Sequence, residues 1–370
     1  MKYYIIAGEA SGDLHGSNLM KGIYKHDPNA EIRFWGGDLM QQAGGTLVKH
    51  YRDLAFMGFA EVVMNLKTIL NNIKICKADI LNFKPDVLIF IDYPGFNMRI
   101  AKWAKELSMK THYYISPQIW AWKENRIQAI KRDVDKMYVI LPFEKDFYEK
   151  KHNFPVDFVG HPLIDAIHNR PKTDTEKFRH ENNLDEKPII ALLPGSRKQE
   201  ISKMLSEMLS VVDSFPDYQF VIAGAPSQDF EFYKQFLTNK SVHFISNKTY
   251  DLLSVAHAAL VTSGTATLET ALFKVPEVVL YKGNWISYQI AKRIITLKYI
   301  SLVNLIMDQE VVTELIQGDC NPKKIKTELD KILEPNHRSK LLATYDLLEE
   351  KLGGEGASDK TARLIIDNLT

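Results

Sequence analysis

Short, almost wholly apolar runs recur along this chain, separated by longer amphipathic stretches, and that alternation restricts the fold more than any other feature. In the first half the runs are Tyr3–Ala7, Ile32–Trp35, Val87–Ile91, Thr111–Ile115 and Met137–Ile140. Runs of this length with no polar alternation fit strands buried on both faces of a parallel sheet. The spacing predicts helices between them, over Glu61–Leu81 and Asn97–Leu107 for example. A βαβα order predicts an open, doubly wound α/β sheet. A second series follows, with strands at Ile189–Leu193, Gln219–Ala223, Ala258–Thr262 and Glu277–Tyr281. Between the two lies Asn169-Arg170-Pro171-Lys172-Thr173-Asp174, a polar, proline-containing linker. The sequence therefore predicts two Rossmann-like domains, 1–168 and 169–345, and a helical tail, 346–370. Ligands of such sheets bind outside the carboxyl ends of the strands, so the expected site is a cleft faced by both sets of ends.

Composition narrows the function classes. Over 370 residues, 47 Lys and Arg against 46 Asp and Glu leave a formal charge of +1. That balance argues against a dedicated nucleic-acid binder. Cys76 and Cys320 are far apart, so neither a zinc site nor a disulfide framework is expected, and free thiols suit a reducing cytoplasm. The apolar start at Met1–Ala7 is too short for a signal peptide, and no uncharged apolar run reaches the roughly 18 residues of a membrane span.

Polar residues of interest cluster where the strands end. Glu9 follows the first strand in Gly8-Glu9-Ala10-Ser11-Gly12-Asp13, a turn with neither the dinucleotide fingerprint nor a P-loop. Glu9 is either a ligand for sugar hydroxyls or a solvated helix cap. Asp92 closes Val87–Ile91. A carboxylate there is partly desolvated and its pKa raised, which suits a general base; the plainer reading is an Asx turn before Pro94. In the second half, Arg197 follows Leu193-Pro194-Gly195-Ser196. Ser263-Gly264-Thr265-Ala266-Thr267-Leu268-Glu269 reads as strand, small-residue turn and helix start, a place for a diphosphate against free N–H groups. Glu269 is positioned to accept from ribose hydroxyls. The plainer readings are a capped helix and a solvated arginine.

Other features carry less. Asp133-Val134-Asp135 follows Lys131-Arg132 and reads as a charged turn rather than a metal-binding pair, so no metal is expected. His161 lies in Val159-Gly160-His161-Pro162, as a cleft residue or a linker histidine. Phe59, Val62, Val63, Leu66, Ile69, Leu70 and Ile73 form an apolar helical stripe, either core-facing or, with Met57 and Met64, a surface for a membrane or acyl chains.

Taken together, the motifs resemble the bacterial lipid-A-disaccharide synthase family, inverting sugar transferases of GT-B architecture. Those that carry the resemblance are Ala7–Asp13, Met57–Val62, Ile91–Asn97, Tyr114–Trp122, Leu141–Glu144, Leu193–Arg197, Ser263–Glu269 and Ser301–Leu305. They occur in family order over nearly the whole chain. The resemblance implies transfer from UDP-2,3-diacylglucosamine to 2,3-diacylglucosamine 1-phosphate, giving a β-1,6 disaccharide and UDP without a cofactor. It implies Asp92 as general base, Glu9 as an essential acid near the sugars, Arg197 and Asn304 on the donor side, and Ser263–Thr267 with Glu269 around UDP. It further implies contact of Met57–Leu70 with the cytoplasmic face of the inner membrane, a tail packed on the first domain, and a possible homodimer. One position departs: Gly95 stands where the family pattern has an acidic residue.

Overall fold

A computed structural model describes residues 1–54, 66–226, 228–237, 241–283 and 298–370. The chain forms two compact units, one of Met1–His168 with Leu352–Thr370 and the other of Asn169–Lys351.

The first unit is built on a seven-stranded sheet: β1 (Lys2–Ala7), β2 (Glu31–Gly36), β3 (Thr46–His50), β4 (Val87–Ile91), β5 (Thr111–Tyr114), β6 (Lys136–Val139) and β7 (Asp157–Phe158). Their order across the sheet is β3-β2-β1-β4-β5-β6-β7, and every pair is parallel. The order reverses direction between β1 and β4, whose register brings Ala7 opposite Ile91. Both strands are buried on both faces, as uninterrupted apolar runs require: Tyr3–Ala7 and Leu88–Ile91 have no exposed surface. Each such side chain contributes roughly 1.5–3 kcal/mol by leaving water, so a charge at Ile89 would not be tolerated. One core groups these strands with Cys76, Ile80, Ile100 and Ala104 of the helices Leu66–Phe83 and Pro94–Glu106.

The second unit repeats the plan with six parallel strands: β8 (Ile189–Leu193), β9 (Gln219–Gly224), β10 (Val242–Ser246), β11 (Ala256–Thr262), β12 (Glu277–Tyr281) and β13 (Glu314–Ile316). The order is β10-β9-β8-β11-β12-β13, with its reversal between β8 and β11. The sequence pattern locates the buried strands to within two residues and overlooks β3, β7, β10 and β13. β3 and β10 are half-buried edges whose apolar runs are broken by polar residues, and β7 and β13 are two and three residues long.

Within the first unit, the helix Ala357–Asp367 lies along Ala10–His26 so closely that a Cβ on Gly22 would come 2.9 Å from the Cβ of Ala362. The buried Asp165 carboxylate holds the start of that helix, accepting from the N–H of Gly356 at 2.6 Å and of Ser358 at 3.0 Å. His161 is also buried here, its N–H donating to the Leu352 carbonyl and its Nδ1 accepting from the Leu163 N–H. It is a structural histidine of this unit.

Candidate functional site

In doubly wound sheets the point where strand order reverses leaves a crevice at the carboxyl ends. In the first unit the two loops at that point are those of Glu9, after β1, and Asp92, after β4. The loops fit together through Gly8. A Cβ there would fall 2.3 Å from the Tyr93 ring, so glycine is needed for that ring to cover the turn.

Asp92 and Tyr93 both adopt left-handed backbone conformations, at φ 45° and 49°. Such geometry costs non-glycine residues of order 1–3 kcal/mol each and persists only where the surroundings impose it. Here they do. The Asp92 carbonyl accepts from Asn97 Nδ2 at 2.7 Å and from the Tyr113 hydroxyl at 2.6 Å, and its N–H donates to the Tyr114 carbonyl. Asn97 also reaches the Ile91 and Ile6 carbonyls, tying β1 to β4. The backbone is thus clamped while the carboxylate stays partly accessible. Burial, and next the charge of Glu9, push the Asp92 carboxyl up from 3.8 to about 6, against a backbone N–H bond from Tyr93 that lowers it. Glu9 is exposed at the N-cap of the helix Ala10–His26, but its side chain makes no capping hydrogen bond. Asp13 does structural work instead: it is buried and accepts from the N–H groups of Gly37, Leu39 and Met40.

The next loop along the same edge follows β5. Ser116 donates to Glu144 Oε1 at 2.6 Å and Trp120 Nε1 to the same oxygen at 3.1 Å. Glu144 Oε2 accepts from the N–H groups of Ile140 and Leu141. A buried carboxylate with four donors is a well-paired anchor, and it fixes the Ser116–Trp120 segment from below. Gly95 is exposed, and a Cβ there would meet nothing within 4 Å. The glycine leaves open space beside the Asp92 turn.

In the second unit the reversal point lies between the loops of Arg197, after β8, and Ser263–Gly264, after β11. Gly195 takes φ +101°, and a Cβ there would strike Glu200 Oε2 at 2.1 Å; that carboxylate also accepts from the Ser196 N–H. The turn leaves Arg197 exposed at the N-cap of the helix Lys198–Leu209, with no hydrogen bond or ion pair of its guanidinium among the described residues. Gly264 and Thr265 are exposed at the start of the helix Thr265–Leu272, and nothing lies within 4 Å of a Cβ on Gly264. The first N–H groups of a helix have no partner within it and carry the positive end of its dipole. The Ser263 hydroxyl donates to the Ile300 carbonyl and that of Thr267 to the Gly264 carbonyl, so these two shape the turn. Ala266 is half-buried. Glu269 is half-buried with its pKa raised by burial, and Oε1 accepts from the Tyr250 hydroxyl at 2.7 Å.

Asn304 is placed differently. It is fully buried, its Nδ2 donating to the Val312 carbonyl and to Glu314 Oε1, its Oδ1 accepting from the N–H groups of Val311 and Val312. Glu314 in turn accepts from the N–H groups of Ile300 and Ser301. The amide is spent on the Val311–Glu314 segment, and through Glu314 it supports the Ile300–Ser301 backbone, whose Ile300 carbonyl accepts from Ser263.

Sequence reasoning missed Tyr113, Tyr250 and Glu314, none of which lies in a strand-end motif. The acids of the Asp133–Asp135 turn are already paired: Asp133 with Arg132, and Asp135 with Lys105 and the Thr111 N–H and hydroxyl. Among the described residues no group of three His, Cys, Asp or Glu side chains is placed to hold a metal ion. Nor is any helix among them long and apolar enough to cross a membrane. The Met57–Leu70 stripe lies largely outside the described residues; of its described part, Lys67, Thr68 and Leu70 are exposed on the helix Leu66–Phe83.

A sequence profile described as lipid-A-disaccharide synthetase matches residues 3–365. The chain belongs to the lipid-A-disaccharide synthase family. Relatives bearing that name include one from Syntrophus aciditrophicus, 39% identical and covering 97% of this chain and 95% of its own. Another, from Geobacter sulfurreducens, is 36% identical, covering 99% and 96%. Members are glycosyltransferases, so the chain is an enzyme of lipid A disaccharide synthesis. Its fold is shared with UDP-GlcNAc 2-epimerase from Neisseria meningitidis bound to UDP-GlcNAc, at TM-score 0.67 and 14% identity over 100% of this chain and 99% of that one. It is shared equally with the glycotransferase of kitacinnamycin, at TM-score 0.67 and 13% identity over 100% and 99%. At such identities the likeness shows the GT-B fold and nothing of substrate.

Proposed function

We propose that this enzyme transfers the sugar of UDP-2,3-diacylglucosamine to the 6-hydroxyl of 2,3-diacylglucosamine 1-phosphate, with inversion and with Asp92 as general base. The observation that carries the reading is Asp92 itself: a partly accessible carboxylate on a clamped backbone at the strand-order reversal, with its pKa raised to about 6. A base of that strength is ionised at neutral pH yet basic enough to take a proton as a hydroxyl attacks. As the acceptor oxygen bonds to the donor's anomeric carbon, its proton passes to Asp92. The bond from that carbon to the diphosphate breaks on the opposite face, and UDP leaves with the electron pair. Glu9 supplies a second carboxylate for sugar hydroxyls.

In the second unit, Arg197 and the N–H groups at Gly264–Thr265 are suited to the charge that develops on the diphosphate, with Ser263, Ala266 and Thr267 shaping that turn. Glu269 keeps Oε2 for ribose hydroxyls. Asn304 is a positioning residue for the Ile300–Ser301 backbone. No step in this scheme needs a metal. Because both substrates carry acyl chains, the apolar Met57–Leu70 stripe is assigned to the cytoplasmic surface of the inner membrane. A homodimer is compatible with the reading but has no part in the chemistry.

The test is purified protein with both acylated sugars in neutral detergent, with and without chelator. Expected are equal amounts of disaccharide and UDP, a β-anomeric product and a chelator-independent rate. UDP release that does not depend on acceptor, or conversion of the donor to an epimer, would overturn the reading.

A further inference from the structure

The loop after β5 carries two tryptophans with different surroundings. Trp120 is tied down by its bond to Glu144 and its edge contact with Phe143, at 4.8 Å between ring centres. Trp122 is 48% exposed. Over its ring stand Lys123 Nζ, 4.1 Å from the centre, and the Arg126 guanidinium carbon at 5.8 Å.

These two cations have no carboxylate partner among the described residues. The nearest acid in sequence, Glu124, is engaged elsewhere, accepting from Lys151 at 2.7 Å and facing His152 Nε2 at 3.0 Å, which holds its pKa down. Lys123 is held in a left-handed conformation at φ 58°, a cost of the kind that collects at ligand sites. The loop beneath is rigid: Ser116 is anchored to Glu144, the Tyr148 hydroxyl donates to the Pro117 carbonyl, and Ile119 is buried. A half-exposed tryptophan with two cations over its ring, neither with a carboxylate partner among the described residues, therefore stands on a fixed base. It follows the strand next to β4, at the edge of the sheet that carries Asp92.

The geometry points to Trp122, Lys123 and Arg126 as a subsite for a sugar phosphomonoester, the phosphate of the acceptor. Lys123 and Arg126 take the phosphate oxygens, arginine bidentately, and the part of the indole they leave exposed takes the C–H surface of the pyranose. Cation–π contact keeps both side chains near the ring before the ligand arrives. This assignment rests on the acceptor proposed above and identifies which side chains distinguish its phosphorylated form.

The experiment compares wild type with Lys123→Gln, Arg126→Gln, the double variant and Trp122→Ala. Acceptors with and without the 1-phosphate are presented in neutral detergent at saturating donor. Wild type is expected to favour the phosphorylated acceptor at least tenfold in kcat/KM. The double variant should bring that preference to within about twofold, leaving turnover of the unphosphorylated acceptor and the KM for donor unchanged. Trp122→Ala should weaken both acceptors. A preference that survives the double substitution overturns the subsite, as does equal loss on both acceptors. A variant that loses only co-sedimentation with anionic phospholipid vesicles, its acceptor preference intact, assigns the patch to the membrane surface and also overturns it. A phosphorus NMR titration with glucosamine 1-phosphate needs no turnover and separates this subsite from the reaction proposed. Saturable binding weakened tenfold or more in the double variant supports it even if no disaccharide forms, and equal binding by both proteins refutes it.

Discussion

Neutralising Glu9 changes one quantity that the structure specifies. The Asp92 carboxyl rises from 3.8 to about 6, with burial the largest cause and Glu9 the next. The whole rise corresponds to about 3 kcal/mol at roughly 1.4 kcal/mol per pKa unit. Of the two causes that raise it, Glu9 is the smaller. Asp92 must be ionised to act, so activity climbs as pH rises through its pKa. Removing a like charge favours the ionised form, and Glu9→Gln therefore moves the acidic limb of the rate profile to lower pH, by less than the full rise of Asp92. At pH 5 the ionised fraction therefore grows relative to each protein's own plateau. Because Glu9 is exposed, the difference should shrink between about 0.05 M and 1 M salt, where the screening length falls to about 3 Å. The assay is kcat/KM for the acceptor from pH 4.5 to 8. A sugar phosphate itself titrates near pH 6, but its contribution is common to both proteins and cancels in the comparison. An unmoved limb, or one displaced upward, would refute the electrostatic coupling of Glu9 to Asp92. A lower plateau with the predicted displacement adds a direct role for Glu9 on substrate.

Three further outcomes are expected. Gly8→Ala drives a methyl group into the Tyr93 ring, which should cost about 1–3 kcal/mol and reduce activity more than a surface substitution; an unchanged melting temperature and rate would show that the ring moves freely. Glu277 is fully buried, and neither carboxyl oxygen has a partner among the described residues. Burial raises its pKa well above 4.5, so it costs stability increasingly as pH rises above the unfolded value. Glu277→Gln should therefore raise the melting temperature more at pH 8 than at pH 5, and a uniform change would contradict this. His15 and His161 are buried, and burial lowers their pKa values to about 4 and about 3. Their contribution is complete above the unfolded value near 6.5 and is lost as pH falls toward the folded values, by up to about 1.4 kcal/mol per pH unit for each. Melting scans between pH 7 and 4 should show this loss, reduced in His161→Gln.

The buried strands and the residues at their ends were legible because both follow from local pattern. Val87–Ile91 has no polar residue, so its position in the sheet and the placement of Asp92 at its carboxyl end come together. The same applies to Ile189–Leu193 and Arg197. What was not legible depends on contacts distant in sequence. The left-handed turn at Asp92 is held by Tyr113, about twenty residues on, and the oxygens of Glu269 are shared with Tyr250. Asn304 shows the same limit from the other side. Its motif is easy to find, but that both ends of its amide are consumed by the Val311–Glu314 loop is a property of the folded chain alone.

Asp92→Asn gives the most direct test of the central claim. It keeps the size of the side chain and the Asn97 and Tyr113 bonds to the backbone carbonyl, and removes the charge and with it the ability to accept a proton as a base. Rapid-quench single turnover and UDP affinity should be measured on the same preparation. The account predicts a loss of transfer of at least about 10²-fold with UDP binding within about twofold of wild type. Transfer that persists near the wild-type rate, or UDP binding lost in parallel, would contradict it.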